Sequence, residues 1–247
     1  MPSTPRRNRI GWTWILLSSL AVVVYAVVPY VTSPLHELAG DNVGLAAAYE
    51  GQPSWVHAVF YTHIAAGGIA LVLAPFQFWA ALRNRARAVH RMLGRIYLTA
   101  VLVAGVAALA LAPVNSAGMV GFFGFGTLAV LWLWTGWRGL RAIRGGDVPS
   151  HQAWMIRNVA LTYAAVTLRL WIGLLMGVQV PWITSDATAD AAFANAYAAV
   201  PFLCWLPNLV VAEWLVRRRG LPTLRVTPPG PPRAVPVAER SDRPVHV

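Results

Sequence analysis

The sequence predicts an all-α, polytopic membrane protein: six transmembrane helices, of which the second to fifth form a four-helix core bundle. Two observations carry that prediction. Hydrophobic residues make up 57% of the 247 residues and charged residues only 12%, whereas a soluble domain carries about a quarter charged. The apolar residues also gather into runs long enough for the roughly 20 helical residues that cross the hydrocarbon of a bilayer. A third observation, the placement of the arginines, orients the runs.

Six runs qualify: residues 10–31, 56–82, 92–113, 119–140, 153–178 and 194–216. The first follows Arg6, Arg7 and Arg9 as a secretory signal would, but its apolar stretch is too long and lacks a small-x-small cleavage site, so it reads as a retained helix. The second ends on "WAALR" (Trp79 to Arg83) and the fourth on "WRGLR" (Trp137 to Arg141), a weak internal repeat that would make the second and third spans one hairpin and the fourth and fifth another. "GMVGFFGFG" in the fourth span reads as a packing stretch, because no lysine or helix start follows as a P-loop needs. In the sixth, Glu213 stands four residues before Arg217, a favourable helical pair. Residues 1–9 then form a short arm, 10–219 the transmembrane domain, and 220–247 a Pro-rich basic tail with too few apolar residues to fold.

All 20 basic residues are arginine. They cluster before the first span, between the second and third, between the fourth and fifth, and after the sixth. The other three loops hold Glu37, Asp41, Glu50, Asp186 and Asp190. The positive-inside bias therefore predicts that both termini are cytoplasmic. Arginine without lysine, with abundant Ala, Val, Gly and Pro, suggests a GC-rich bacterial genome and hence a bacterial plasma membrane. The net charge of +11 does not imply nucleic-acid binding, because the arginines sit in the gaps between spans rather than on a face with stacking aromatics. The single cysteine, Cys204, excludes an internal disulfide. No G-x-S-x-G or H-E-x-x-H pattern is present, so hydrolase chemistry is not expected.

The third and fifth spans open alike, "HRMLGRIY" from His90 and "HQAWMIRN" from His151. On diagonally opposed helices of an antiparallel bundle the two imidazoles lie at similar depth, where they are candidate ligands for a b-type haem, with Arg91, Arg95 and Arg157 as candidate propionate or anion anchors. The plainer alternative is that both histidines stay hydrated at the boundary and the arginines reach back to headgroups. Along the fifth span His151, Met155, Asn158, Thr162 and Arg169 fall on one stripe, about 27 Å long at 1.5 Å per residue. An arginine within a span costs about 2.5–3.5 kcal/mol on insertion scales at mid-membrane, so Arg169 is expected to face protein or a cavity. The second span has a comparable stripe with His63 and Gln77, for which a buried, hydrogen-bonded role is the plainer reading.

His63, "PFQF" at Pro75 to Phe78, "HRMLGRIY" and "HQAWMIRNVALTYAAVTLRL" together resemble a family of predicted bacterial membrane proteins catalogued as domain of unknown function 2306. The resemblance covers about residues 56–173 and implies that His63, Gln77, His90, Arg91, Gly94, Arg95, Tyr97, His151, Trp154, Met155, Arg157 and Arg169 are signature positions; it brings no activity with it. A more distant, partial similarity is to cytochrome b561-like diheme membrane proteins, which pair histidines on two levels of a four-helix core. Here the fourth span has no histidine to partner His63. Three functional expectations follow: a haem- or quinone-linked redox module, a transporter of a small anion drawn to Arg169, or an accessory protein without a cofactor.

Overall fold

The computed structural model describes residues 5–223. The proposed tail therefore lies outside the described residues from residue 224 on. Those described are helical with short connections and contain no strand. Six stretches are long and apolar enough to cross a membrane: Ile10–Thr32, Ser54–Gln77, Arg87–Val114, Gly118–Arg144, Val148–Trp182 and Asp186–Arg218.

The first span is α1 (Pro5–Ala26) followed by α2 (Val28–Thr32). The helix thus begins inside the stretch that the sequence suggested was an arm. Pro29, near the start of α2, has no N–H with which to continue the ladder from α1. Two short helices, α3 (Leu35–Gly40) and α4 (Ala46–Glu50), occupy the next loop.

The second span, α5 (Ser54–Gln77), stops short of Leu82. Pro75 lies in its last turn, and the chain turns at Phe78 before a separate short helix, α6 (Ala80–Arg85). "WAALR" is consequently outside the spanning helix, whereas "WRGLR" lies within the fourth span, α8 (Gly118–Arg144). The two pentapeptides do not occupy equivalent places. The third span is α7 (Arg87–Leu111), extended to Val114 by a tight turn.

The fifth and sixth spans are both broken. The fifth is α9 (Val148–Thr162) and α10 (Ala164–Gln179), interrupted at Tyr163; the sixth is α11 (Asp186–Leu203) and α12 (Leu206–Arg218), interrupted at Cys204 and Trp205. Pro207 accounts for the second break, since it cannot donate to the carbonyl of Leu203 and its ring crowds that carbonyl. At the first, Thr162 donates its hydroxyl back to the Asn158 carbonyl at 3.0 Å, a contact that bends helices.

In the core α5 packs on α7, α7 on α8, α8 on α9, and α9 closes the ring against α5. α7 and α9 are thus diagonal. α12 packs on α9, α11 on α8 and α10, and α1 on α5. Two hydrogen bonds fasten α1: the Trp12 indole donates to the Pro75 carbonyl at 2.9 Å, and Ser18 Oγ meets the Tyr163 hydroxyl at 2.7 Å.

Candidate functional site

The middle of the bundle is closed by a polar knot. Tyr97, fully buried on α7, donates to Asn158 Oδ1 at 2.6 Å and lies 2.7 Å from Thr162 Oγ1, both on α9. Asn158 Nδ2 donates to the Trp132 carbonyl at 2.8 Å and to Thr135 Oγ1 at 2.9 Å, and the Trp132 indole donates to Thr162 Oγ1 at 2.9 Å. Each buried polar atom in this set has a partner, the condition under which a buried network rigidifies a core.

Beyond the knot, toward the face that carries the acidic loops, lies a cavity of about 520 Å³, a size typical of small-molecule sites. Thr162 and Trp132 form part of its floor, and α1, α5, α10 and α11 contribute to its walls. Its roof is the loop of α3 and α4: Tyr30 donates to the Val43 carbonyl at 3.2 Å and accepts from the Leu45 N–H at 3.1 Å, while a His57 ring nitrogen lies 2.7 Å from the Tyr49 carbonyl. Gly44, in the turn between them, has φ +58, and a β-carbon there would lie 2.8 Å from the Tyr30 hydroxyl oxygen. Only glycine keeps that turn and that contact together. Burial raises the Tyr49 phenol above its ordinary pKa.

Arg169 on α10 is the cation of this cavity. One guanidinium nitrogen donates to the Ala165 carbonyl at 2.7 Å. Tyrosines 25, 30 and 197 stand around it. No carboxylate pairs with it, because the ion pair found among the described residues joins Arg157 to Glu213. His63 lines the same cavity and has Nδ1 2.9 Å from the Ala104 carbonyl. A carbonyl only accepts, so this nitrogen carries the proton and Nε2 is left without that partner.

On the other side of the knot, His90 lies seven residues before Tyr97 and His151 seven before Asn158. Positions seven apart share a helix face, so the bonded pair Tyr97–Asn158 implies that the two imidazoles face each other about 10.5 Å further along, at 1.5 Å per residue. His151 Nδ1 is 2.9 Å from the Gly139 carbonyl, and His90 Nδ1 is buried without a partner among the described residues. A β-carbon on Gly139 would approach the Met155 sulfur to 3.1 Å, so glycine lets α9 close on α8 here.

The three arginines suggested as anchors differ in their surroundings. Arg91 and Arg95 are exposed. Arg157 is buried and bound twice by Glu213, at 2.5 and 3.0 Å. Its guanidinium also lies 4.8 Å from the ring centre of Trp154, against which Arg138 packs at 4.7 Å. Glu213 therefore pairs across helices with Arg157, not with Arg217 four residues on. Gln77 is buried, its amide donating weakly to the Leu73 carbonyl at 3.4 Å.

Sequence patterning named Asn158, Thr162, His63 and Arg169 as interior but missed Trp132 as a partner of Asn158 and Thr162, Tyr30 in the cavity with Arg169, and Glu213 as the partner of Arg157. Pro207 was an available signal for the break in the sixth span; nothing of that kind marks Tyr163.

A ring of four helices with flanking first and sixth spans defines a multi-pass helical membrane protein. Residues 60–216 match the family described as "Predicted membrane protein (DUF2306)", and the chain belongs to that family. The match continues through the sixth span, beyond the four-helix core. No curated protein and no solved structure matches the chain.

Proposed function

We propose that this chain sits in a bacterial plasma membrane with both termini cytoplasmic, and that it binds and translocates a small anion with an apolar body. One observation supports this above the rest: Arg169 lines a closed-floored cavity inside the bundle and has no carboxylate partner among the described residues. A charge held in a membrane interior is retained where it meets a counter-charge or water, and here an anionic ligand supplies that charge. The planar guanidinium fork matches a carboxylate. The mostly aromatic and aliphatic wall suits an apolar body. A quinone, being neutral, would accept hydrogen bonds from this site but leave the charge of Arg169 uncompensated, so the anion is preferred.

The test is thermal unfolding in lipid nanodiscs with decanoate or decanol. Decanoate should raise the unfolding midpoint and decanol should not, since a ligand that binds only the native state stabilises it by about 2.7 kcal/mol at a hundredfold excess over Kd. Arg169→Gln should remove the difference. Equal shifts with both probes, or a decanoate shift retained in Arg169→Gln, would reject the reading.

A second reading, a b-type haem near the arginine-rich face, is favoured by the facing imidazoles and the orphaned His90 Nδ1. His151 fits a ligand role, because its Nδ1 is held by a carbonyl as second-sphere partners hold liganding histidines. His90 and His151 would hold the iron, and a bound haem would supply one-electron chemistry. Arg157 is already committed to Glu213, which leaves Arg91 and Arg95 for the propionates. A reducible Soret band at one haem per chain, lost in His90→Ala and in His151→Ala, is the expected result. A colourless, folded protein purified from haem-replete cells excludes this reading.

A further inference from the structure

The cavity lies between two hydrogen-bonded layers, which leaves the question of how anything reaches Arg169. The knot of Tyr97, Asn158, Thr162 and Trp132 forms the floor. The hydrogen bonds of Tyr30 to Val43 and Leu45 tie the roof. The wall between α1 and α10 has no such tie above Ser18 among the described residues: Tyr25 of α1 and Gly173 of α10 both line the cavity and are exposed, Tyr25 at 73%, as is Gly44 in the hydrogen-bonded roof. A β-carbon built on Gly173 meets nothing within 4 Å, and the same holds for Gly67 on α5, which also lines the cavity. α1 and α10 are pinned to each other at the Ser18–Tyr163 hydrogen bond. Both helices run the same way, and Tyr25 and Gly173 lie seven and ten residues beyond that pin, about 10 and 15 Å along their axes at 1.5 Å per residue.

We infer that a slot between Tyr25 and Gly173 is a lateral portal, and that the ligand is a single-chain alkyl carboxylate that enters from the bilayer and places its head on Arg169. The inference rests on the reading of the cavity as an anion site, and adds the ligand class and its route. A water-soluble anion would have to pass the roof. A membrane-partitioned carboxylate does not, because its chain stays in lipid or in the slot while its head moves to the cation. The residues facing the slot fit a chain: Val22, Ala26 and Ile172 line the cavity beside it and carry no polar side-chain atoms.

The test uses the full chain in lipid vesicles and a hexadecanoate bearing a mid-chain diazirine, with photolabelled peptides mapped by mass spectrometry. The label should fall on residues around 22–26 and 172–173, and compete with unlabelled hexadecanoate. Gly173→Trp should fill the slot and cut labelling about tenfold, equivalent to about 1.4 kcal/mol. Ala26→Trp fills it from the opposite wall and provides a second plug if the first variant unfolds. Labelling that is unchanged in both folded plugs, with adducts at residues 43–45, would overturn the portal while leaving an anion site at Arg169 intact. Labelling that is uniform around the bundle and equal in Arg169→Gln would overturn the portal and the anion site together.

Discussion

The two halves of the bundle treat their polar groups differently. From the knot to the arginine-rich side most buried polar groups are answered by another within the protein, Arg157 by Glu213, Asn158 by Tyr97 and Thr135, Thr162 by Trp132, with His90 Nδ1 the exception. On the acidic-loop side the most costly group of all, Arg169, is answered by a carbonyl of its own helix and by space. Both halves have the same solvent outside and the same kind of helices. The contrast teaches that the closed half is where the chain gains stability and the open half is where it has forgone some, and a site of function is the usual place for that exchange.

Mutations should separate the halves by the size and sign of their effects. The largest loss is expected from Asn158→Ala, which takes the amide acceptor from Tyr97 and a shared donor from Thr135 and the Trp132 carbonyl, leaving Tyr97 with Thr162 alone; at about 1–3 kcal/mol for each group left short of a partner, the loss should reach about 3–5 kcal/mol in reversible unfolding in mixed micelles. An unchanged midpoint would mean that water fills the knot and the contrast is false.

Glu213→Gln comes next. Removing one member of a buried pair costs about 3–5 kcal/mol, and the lower end applies because Glu213 is 33% exposed. The double variant Arg157→Met/Glu213→Leu should recover most of that loss, since replacing both charges removes the desolvation cost. If the double variant is as unstable as the single one, the pair is serving some purpose other than mutual neutralisation.

Arg169→Gln is expected to have the opposite sign. Without ligand it should leave stability unchanged or raise it by up to about 1 kcal/mol, because an uncompensated charge is removed from the membrane interior. A loss of several kcal/mol would place Arg169 among the structural groups of the closed half and dissolve the comparison.

The smallest effect concerns Asp147, which caps α9 by accepting the Ser150 N–H at 3.0 Å. Hydrogen bonds from Ser150, side chain first and backbone second, hold its carboxyl below the usual carboxylate range. A depressed native pKa stabilises the protein above the unfolded value of about 3.9, and this contribution fades as pH falls through the native value. Asp147→Ala should therefore lower the unfolding midpoint slightly near neutrality, and the difference from wild type should vanish in acid. A difference that persists unchanged at low pH would show that the cap acts through shape alone.

The spans were legible in the sequence because a bilayer imposes one dominant constraint, a length of apolar helix, and each run meets it locally. Arg169 was legible for an energetic reason, since a charge at that position must face something other than lipid. Its surroundings were not. The cavity roof comes from Tyr30, Val43 and Leu45, more than a hundred residues away in sequence, and its portal wall comes from the first span. Glu213 had a plausible partner four residues on, and only the packing of α12 against α9 brings Arg157 closer. Tyr163 breaks the fifth span with no proline or glycine beside it, because the break depends on a hydroxyl that turns back on its own helix and on contacts from α1.

The paired breaks have a mechanical consequence. Where α10 and α11 leave their lower halves, the bonds at the joint come from side chains rather than the helical ladder: Thr167 Oγ1 donates to the Cys204 carbonyl at 2.5 Å, and Asn208 Nδ2 reaches Thr167 and the Ala160 carbonyl at 3.0 and 3.1 Å. α10 and α11 pack on each other above that joint. Arg169 lies two residues past Thr167, so the cation of the cavity hangs from a joint that side-chain hydrogen bonds hold together.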